Sequence, residues 1–296
     1  MGLQEIELSF FENSVCFSCS LCHKHIVQNI LLQISQSFKV YQFFALSQNI
    51  MLYNITNQLI SKEGTFMKKI GLIGGMGPVS TIDYYQQLVT KFQQVHPNIC
   101  PPIVIDSLDV FELLTLEETG NKQALLRVLL TSLNNLKNAG ASLAALTANT
   151  PHMVFDELVS VSPLPLISIV DSTLAAIKKN KQTKIGLLGT KMTMELGFYQ
   201  KRLQSADINL VTPSAEQIDT IHQIISKELE VGIVTTQSKQ KLLEIIKKMS
   251  SKNNLDGIIL GCTELPLILS QKDIAITVYD TVSIHVDDIL NVALQE

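Results

Sequence analysis

The chain repeats itself, and this duplication limits its possible folds more than any other feature. KKIGLIGG (68–75) returns as TKIGLLGT (183–190), and LAALTANTPH (143–152) has its counterpart in GIILGCTELP (257–266). Ile70 to Ala148 spans 78 positions and Ile185 to Cys262 spans 77. Matched spacings of this kind predict a duplicated unit. The strand-like runs are apolar along their whole length, as expected of strands covered on both faces. Helix-like stretches separate them at 79–94, 121–138, 151–159, 171–180, 194–205, 215–231, 239–249 and 282–294, with 108–119 left as a loop. The alternation predicts an α/β fold of two similar doubly wound parallel-sheet domains related by pseudo-two-fold duplication, with the active site in the cleft between them. The expected division is 67–167 plus 275–296 for the first domain and 168–274 for the second.

Ligands of open α/β sheets bind beyond the carboxyl ends of the strands. The duplication therefore sets the turn Ala148–Thr150 opposite the turn Cys262–Glu264. Cys262 ends a strand and precedes an expected helix starting near Thr263. The positive end of such a helix lowers a thiol's pKa and favours the thiolate. Thr263 is expected to cap that helix, with Glu264 in its first turn. Asn149 and Thr150 offer matching donors in the other turn, and two helix N-termini facing one cavity suit a carboxylate. A free cysteine is also a common small core residue, so position alone leaves Cys262 open to both readings. Glycines 74, 75 and 77 are expected to let the backbone approach a substrate closely. Asp106 and Ser107 end a strand and are candidates for the border of the cleft.

The totals exclude other classes. A net charge of −4 with scattered charges gives no basic stripe for nucleic acid. The five cysteines, Cys16, Cys19, Cys22, Cys100 and Cys262, are odd in number and crowded at one end, unlike a secreted disulfide framework. A reducing cytoplasm is the simplest compartment. Residues 1–66 differ from the rest and are expected to be a poorly ordered extension or the product of a start site placed too far upstream. The uncharged run 40–61 carries too many amides for a membrane span. CFSCSLCHKH (16–25) lacks the second half of a zinc site, so no metal is expected. Cys100 reads as structural, His222 as solvated, and His285 as a capping residue or a support behind the site. GLIGGMGP (71–78) follows a strand but lacks the Gly-x-Gly-x-x-Gly order of a dinucleotide site.

Four stretches in order, IGLIGGMGP (70–78), ANTPH (148–152), GLLGTKMTM (186–194) and LGCTELP (260–266), make the chain similar to the aspartate/glutamate racemase family over about residues 67–290. That resemblance implies a cofactor-independent isomerase of amino acids, with two α/β domains and, by analogy, a homodimer. It implies a small amino-acid substrate and neither a nucleic-acid nor a membrane partner. Family members place two cysteines on opposite faces of the substrate α-carbon; one thiolate removes the proton and the other thiol returns one. Carried onto this chain, Cys262 is the second-domain cysteine. Asn149, Thr150 and Thr263 would hold the substrate carboxylate, and Met76 would line the pocket. Glu264 and His152 fall at motif positions of unassigned role. The first-domain cysteine position is Ala148, which cannot carry a proton. Thr147, Thr150, His152 or a water would then have to stand in. A hydroxyl is poorly matched to that task, because its pKa lies far above neutrality. A single-cysteine decarboxylase-like enzyme of the same superfamily and a non-catalytic binder of acidic amino acids remain the alternatives.

Overall fold

The computed structural model of the protein describes residues 67–295. The extension 1–66, with its cysteine cluster and uncharged run, lies outside the described residues.

Two four-stranded parallel sheets carry the fold. The first contains β1 (Ile70–Gly74), β2 (Ile103–Ser107), β3 (Leu143–Leu146) and β4 (Leu166–Ile167), in the order β2-β1-β3-β4. The second contains β5 (Lys184–Leu188), β6 (Asn209–Val211), β7 (Gly257–Leu260) and β8 (Thr277–Asp280), in the equivalent order β6-β5-β7-β8. Central β1 is buried at all five positions, as its unbroken apolar run requires. Register also repeats: Ile70 pairs with Leu143, and Ile185 with Gly257.

In the first half, helices α1 (Pro78–Val95), α2 (Val110–Glu118), α3 (Lys122–Asn138) and α4 (Phe155–Val161) follow the strands. The expected loop 108–119 is thus largely helix. Asp109 caps it by accepting from Phe111 N, and only Leu113 and Glu117, one turn apart, are buried. Helix α5 (Ile169–Lys179) follows β4, with Ser168 as its cap. In the second half come α6 (Lys191–Glu195), α7 (Phe198–Gln204), α8 (Ala215–Lys227), α9 (Thr236–Asn253) and α10 (Thr281–Leu294). The expected single helix 194–205 is broken into α6 and α7 at Gly197, whose φ of 76° is left-handed.

Each half lends its closing helix to the other. Helix α5 follows the first sheet, yet Ile169, Val170, Leu174 and Ile177 join the core of the second. Helix α10 follows the second sheet, yet Val282, Val286, Ile289 and Ala293 pack with Ile70, Leu72, Tyr84 and Leu88 of the first. The two helices meet, and Ser172 Oγ donates to Asp288 Oδ2 at 2.5 Å between them. The expected division at 275 is therefore displaced. Strand β8 pairs with β7 in the second sheet, and only the following helix returns to the first.

Candidate active site

The carboxyl ends of β1, β3, β5 and β7 meet, as the duplication predicts. Thr150 Oγ1 lies 3.3 Å from Thr193 Oγ1, which lies 3.0 Å from Thr190 Oγ1, giving a row of three hydroxyls drawn from both halves. Tyr199 OH donates to Asn149 Oδ1 at 2.7 Å, and Asn149 Nδ2 donates to Thr281 Oγ1 at 3.4 Å. The Asn149 carboxamide thus fastens the first half to the second, leaving one amide hydrogen for a ligand.

Cys262 follows β7 and is 6% exposed. Its thiol donates to Glu264 Oε2 at 2.9 Å, and Thr263 Oγ1 donates to the same oxygen at 2.7 Å. No α-helix starts here. A three-residue 3-10 turn, Leu265–Leu267, follows instead, and Thr263 bonds Glu264 rather than capping. The cause lies in packing: Leu265, Ile268 and Leu269 all enter the second core and pin the segment to it. The electrostatics are consequently the reverse of the expectation. Burial, then the negative charge and hydrogen bonding of Glu264, push the Cys262 thiol well above its ordinary range, and Glu230 adds to the push. The resting group is a protonated thiol.

Glu230, on the 3-10 turn Leu229–Val231, is exposed. Its carboxyl is nevertheless raised, first by desolvation and then by Glu264. Two carboxylates therefore act on one thiol.

On the facing turn Ala148 is 9% exposed and carries no proton. Thr147 is sealed: its hydroxyl donates to Ile73 O at 3.1 Å and sits 3.1 Å from Thr81 Oγ1. His152 is also committed. Ile169 N donates to His152 Nε2 at 3.3 Å, so the ring proton resides on Nδ1, which donates to Ala148 O at 3.1 Å. Burial, then His285, lowers its pKa to about 3. The ring braces the Ala148 turn against the start of α5, and neither nitrogen is available as a proton carrier. Met76 is half-buried against the first core.

The glycine-rich turn also departs from expectation. A Cβ at Gly75 would stand 2.1 Å from Leu108 O, and one at Gly74 2.6 Å from Thr81 Cγ2. Those two glycines serve packing within the first half. Only Gly77, at φ 132°, faces the other half, with its Cβ position 3.2 Å from Glu264 Oε1. Elsewhere, Cys100 is exposed and accepts from Gln93 Nε2, while His222 is half-buried with Nδ1 unpaired. Asp106 is half-buried and accepts from Asn135 on α3, and Ser107 is exposed. His285 is sealed in the first core rather than capping: Tyr84 OH donates to Nδ1 at 2.8 Å and Nε2 donates to Ile167 O at 3.1 Å. Among the described residues no group of three metal-ligating side chains occurs, and no helix is long and apolar enough to cross a membrane.

Sequence reasoning missed Tyr199, Thr190, Thr193, Thr281 and Glu230. The duplication carried a signal for one of them: Thr190 occupies the position in TKIGLLGT that Gly75 holds in KKIGLIGG.

This architecture, two like α/β halves with one thiol where their strand ends meet, is that of a racemase fold. Residues 73–289 match the Asp/Glu/Hydantoin racemase family profile, and the chain belongs to that family, whose racemases are isomerases. A Yersinia pestis protein whose crystal structure carries an Asp/Glu racemase description is 37% identical, with a TM-score of 0.72 over 77% of this chain and all of that one. PH1733, an aspartate racemase homologue from Pyrococcus horikoshii, is 35% identical, with a TM-score of 0.67 over the same shares. The broad specificity amino-acid racemase RacX of Bacillus subtilis is 26% identical over 72% of this chain and 92% of its own length. The match to the glutamate racemase of Aquifex aeolicus spans 56% of that protein.

Proposed function

We propose that the chain is a cofactor-independent amino-acid racemase or epimerase in which Cys262 serves one face of the α-carbon and water serves the other. The carrying observation is a buried thiol at the meeting of the two halves, the only one among the described residues, with Ala148 in the facing turn and both Thr147 and His152 committed to the backbone. In one direction the Cys262 thiolate takes the α-proton. The Cα–H bond breaks, its electron pair passes into the carboxylate as an enediolate, and water protonates the opposite face. In the other direction water on the opposite face takes the α-proton, the Cα–H electron pair passes into the carboxylate as before, and the thiol, which is the resting form, delivers its own proton to the enediolate. The row Thr150, Thr193 and Thr190, with the remaining amide hydrogen of Asn149, supplies donors for the carboxylate as charge builds on it. With a thiol on only one face, proton exchange should outrun inversion.

The test is α-proton exchange in D2O, followed by NMR over a panel of L- and D-amino acids, with inversion scored by chiral chromatography. Exchange that disappears in Cys262→Ser, while the far-UV spectrum is kept, supports the assignment. Exchange that survives the substitution overturns it.

A further inference from the structure

Thr281 stands where the second half hands its last helix back to the first. Strand β8 runs beside β7 with Asp280 opposite Leu260, and the Asp280 carboxylate then caps α10 by accepting from Val282 N and Ser283 N. That cap makes Thr281 the first residue of the helix. Thr281 is wholly buried, and its Oγ1 donates to Leu260 O at 2.9 Å, two residues before Cys262. A threonine hydroxyl has one proton, so towards any other neighbour Thr281 can only accept. That neighbour is Asn149 Nδ2, at 3.4 Å. At the other end of the carboxamide, Tyr199 OH lies 2.7 Å from Oδ1. A phenol donates or accepts, so Tyr199 alone would tolerate either end of the carboxamide. Thr281 would not. With the ends exchanged, two oxygens would meet with no proton between them, unless Leu260 O gave up its donor. Either loss is costly in a buried place.

We propose that Thr281 is the positioning residue that selects which end of the Asn149 carboxamide faces the substrate, so that the cleft prefers an α-carboxylate to an α-carboxamide. This rests on Asn149 donating to the substrate carboxylate, as in the function proposed above. With the nitrogen held towards Thr281 and the oxygen towards Tyr199, the remaining amide hydrogen is the group left for a ligand. A carboxylate only accepts and meets that hydrogen favourably, whereas a carboxamide would be the better match to a carboxamide turned end for end. The same hydroxyl holds the strand that carries Cys262, so the donor from the first half and the thiol from the second share one fixed frame.

The experiment compares binding by titration calorimetry of the standard amino acids and their α-carboxamides to the full chain, with α-proton exchange in D2O followed on the same samples. The variants are Thr281→Val, which keeps the shape and loses the hydroxyl, Thr281→Ala as a less crowded version of the same loss, and Thr281→Ser. One hydrogen bond to a charged group predicts that the preference for acid over amide falls roughly ten- to a hundredfold in the valine and alanine variants. Serine should restore it. Tyr199→Phe should weaken both ligands and keep the preference, because Thr281 still selects the nitrogen. A merely structural role would weaken acid and amide equally. Equal weakening in both hydroxyl-less variants, an unchanged preference, no rescue by serine, or no binding of any amino acid overturns the proposal. Exchange that depends on Cys262 alongside an unchanged preference would sink the role of Thr281 and leave the racemase assignment standing. A preference that falls as expected in a protein without exchange would do the opposite.

Discussion

Replacing His285 with glutamine should make the protein markedly less sensitive to acid. His285 is fully buried, and burial lowers its pKa to about 4, against an ordinary value near 6.5. Its neutral form is therefore favoured in the folded state. The stability this contributes is present in full above the unfolded value and is lost as pH falls from there towards the folded value. At about pH 5 the unfolded chain has taken up the proton and the folded chain has not. The gap of about 1.5 pH units, at about 1.36 kcal/mol each, amounts to about 2 kcal/mol. Glutamine can accept from Tyr84 through its oxygen and donate to Ile167 O through its nitrogen, and it does not titrate. His152 titrates in the same direction in both proteins, and losing its repulsion from His285 makes the variant more tolerant still. Glu117, raised to about 7 by burial and by Glu118, acts in the opposite sense in both proteins and cancels in the comparison. Urea unfolding at about pH 7 and about pH 5 should show the parent losing about 2 kcal/mol more than the variant. Parallel losses would refute a buried neutral His285 as a source of acid sensitivity.

Two further outcomes follow from the site. Tyr199→Phe removes the donor to Asn149 Oδ1, so thermal unfolding should show a loss of about 1–2 kcal/mol, accompanied by a raised KM; an unchanged KM would mean that Asn149 does not touch the substrate. Ala148→Cys places a second thiol on the facing turn, so inversion should gain on exchange in D2O; an unchanged ratio would show that the second face is served from elsewhere.

The central strands β1, β3, β5 and β7 are legible because strands covered on both faces read as unbroken apolar runs, whereas the edge strands β2, β6 and β8 are only partly buried and are marked by β-branched and aliphatic runs between helix-like stretches. The spacing of the duplication also predicts that the turn at Ala148 faces the turn at Cys262. Helix α2 gives little helical signal in the sequence because so narrow a stripe, Leu113 and Glu117, turns inward. The helix expected after Cys262 failed for a non-local reason. Leu265, Ile268 and Leu269 satisfy a core assembled from distant segments, and local capping rules do not see that. The same limit hid the thiol's protonation. Its raised pKa depends on burial and on the carboxylate two residues away turning back on it, neither of which is written in LGCTELP. Tyr199 lies 50 residues from Asn149, and a tyrosine inside a helix signals core rather than site.

The lending of helices between the halves has a consequence for synthesis. Domains generally fold as units while the chain emerges, N-terminal part first. Here the early half cannot shut its apolar floor alone, because Val282, Val286, Ile289 and Ala293 are among the last described residues to leave the ribosome. Until they arrive, Ile70, Leu72, Tyr84 and Leu88 are left without that cover. A nascent chain of this design is a natural client for holding chaperones, and a stop codon near its end would damage the part that was made first.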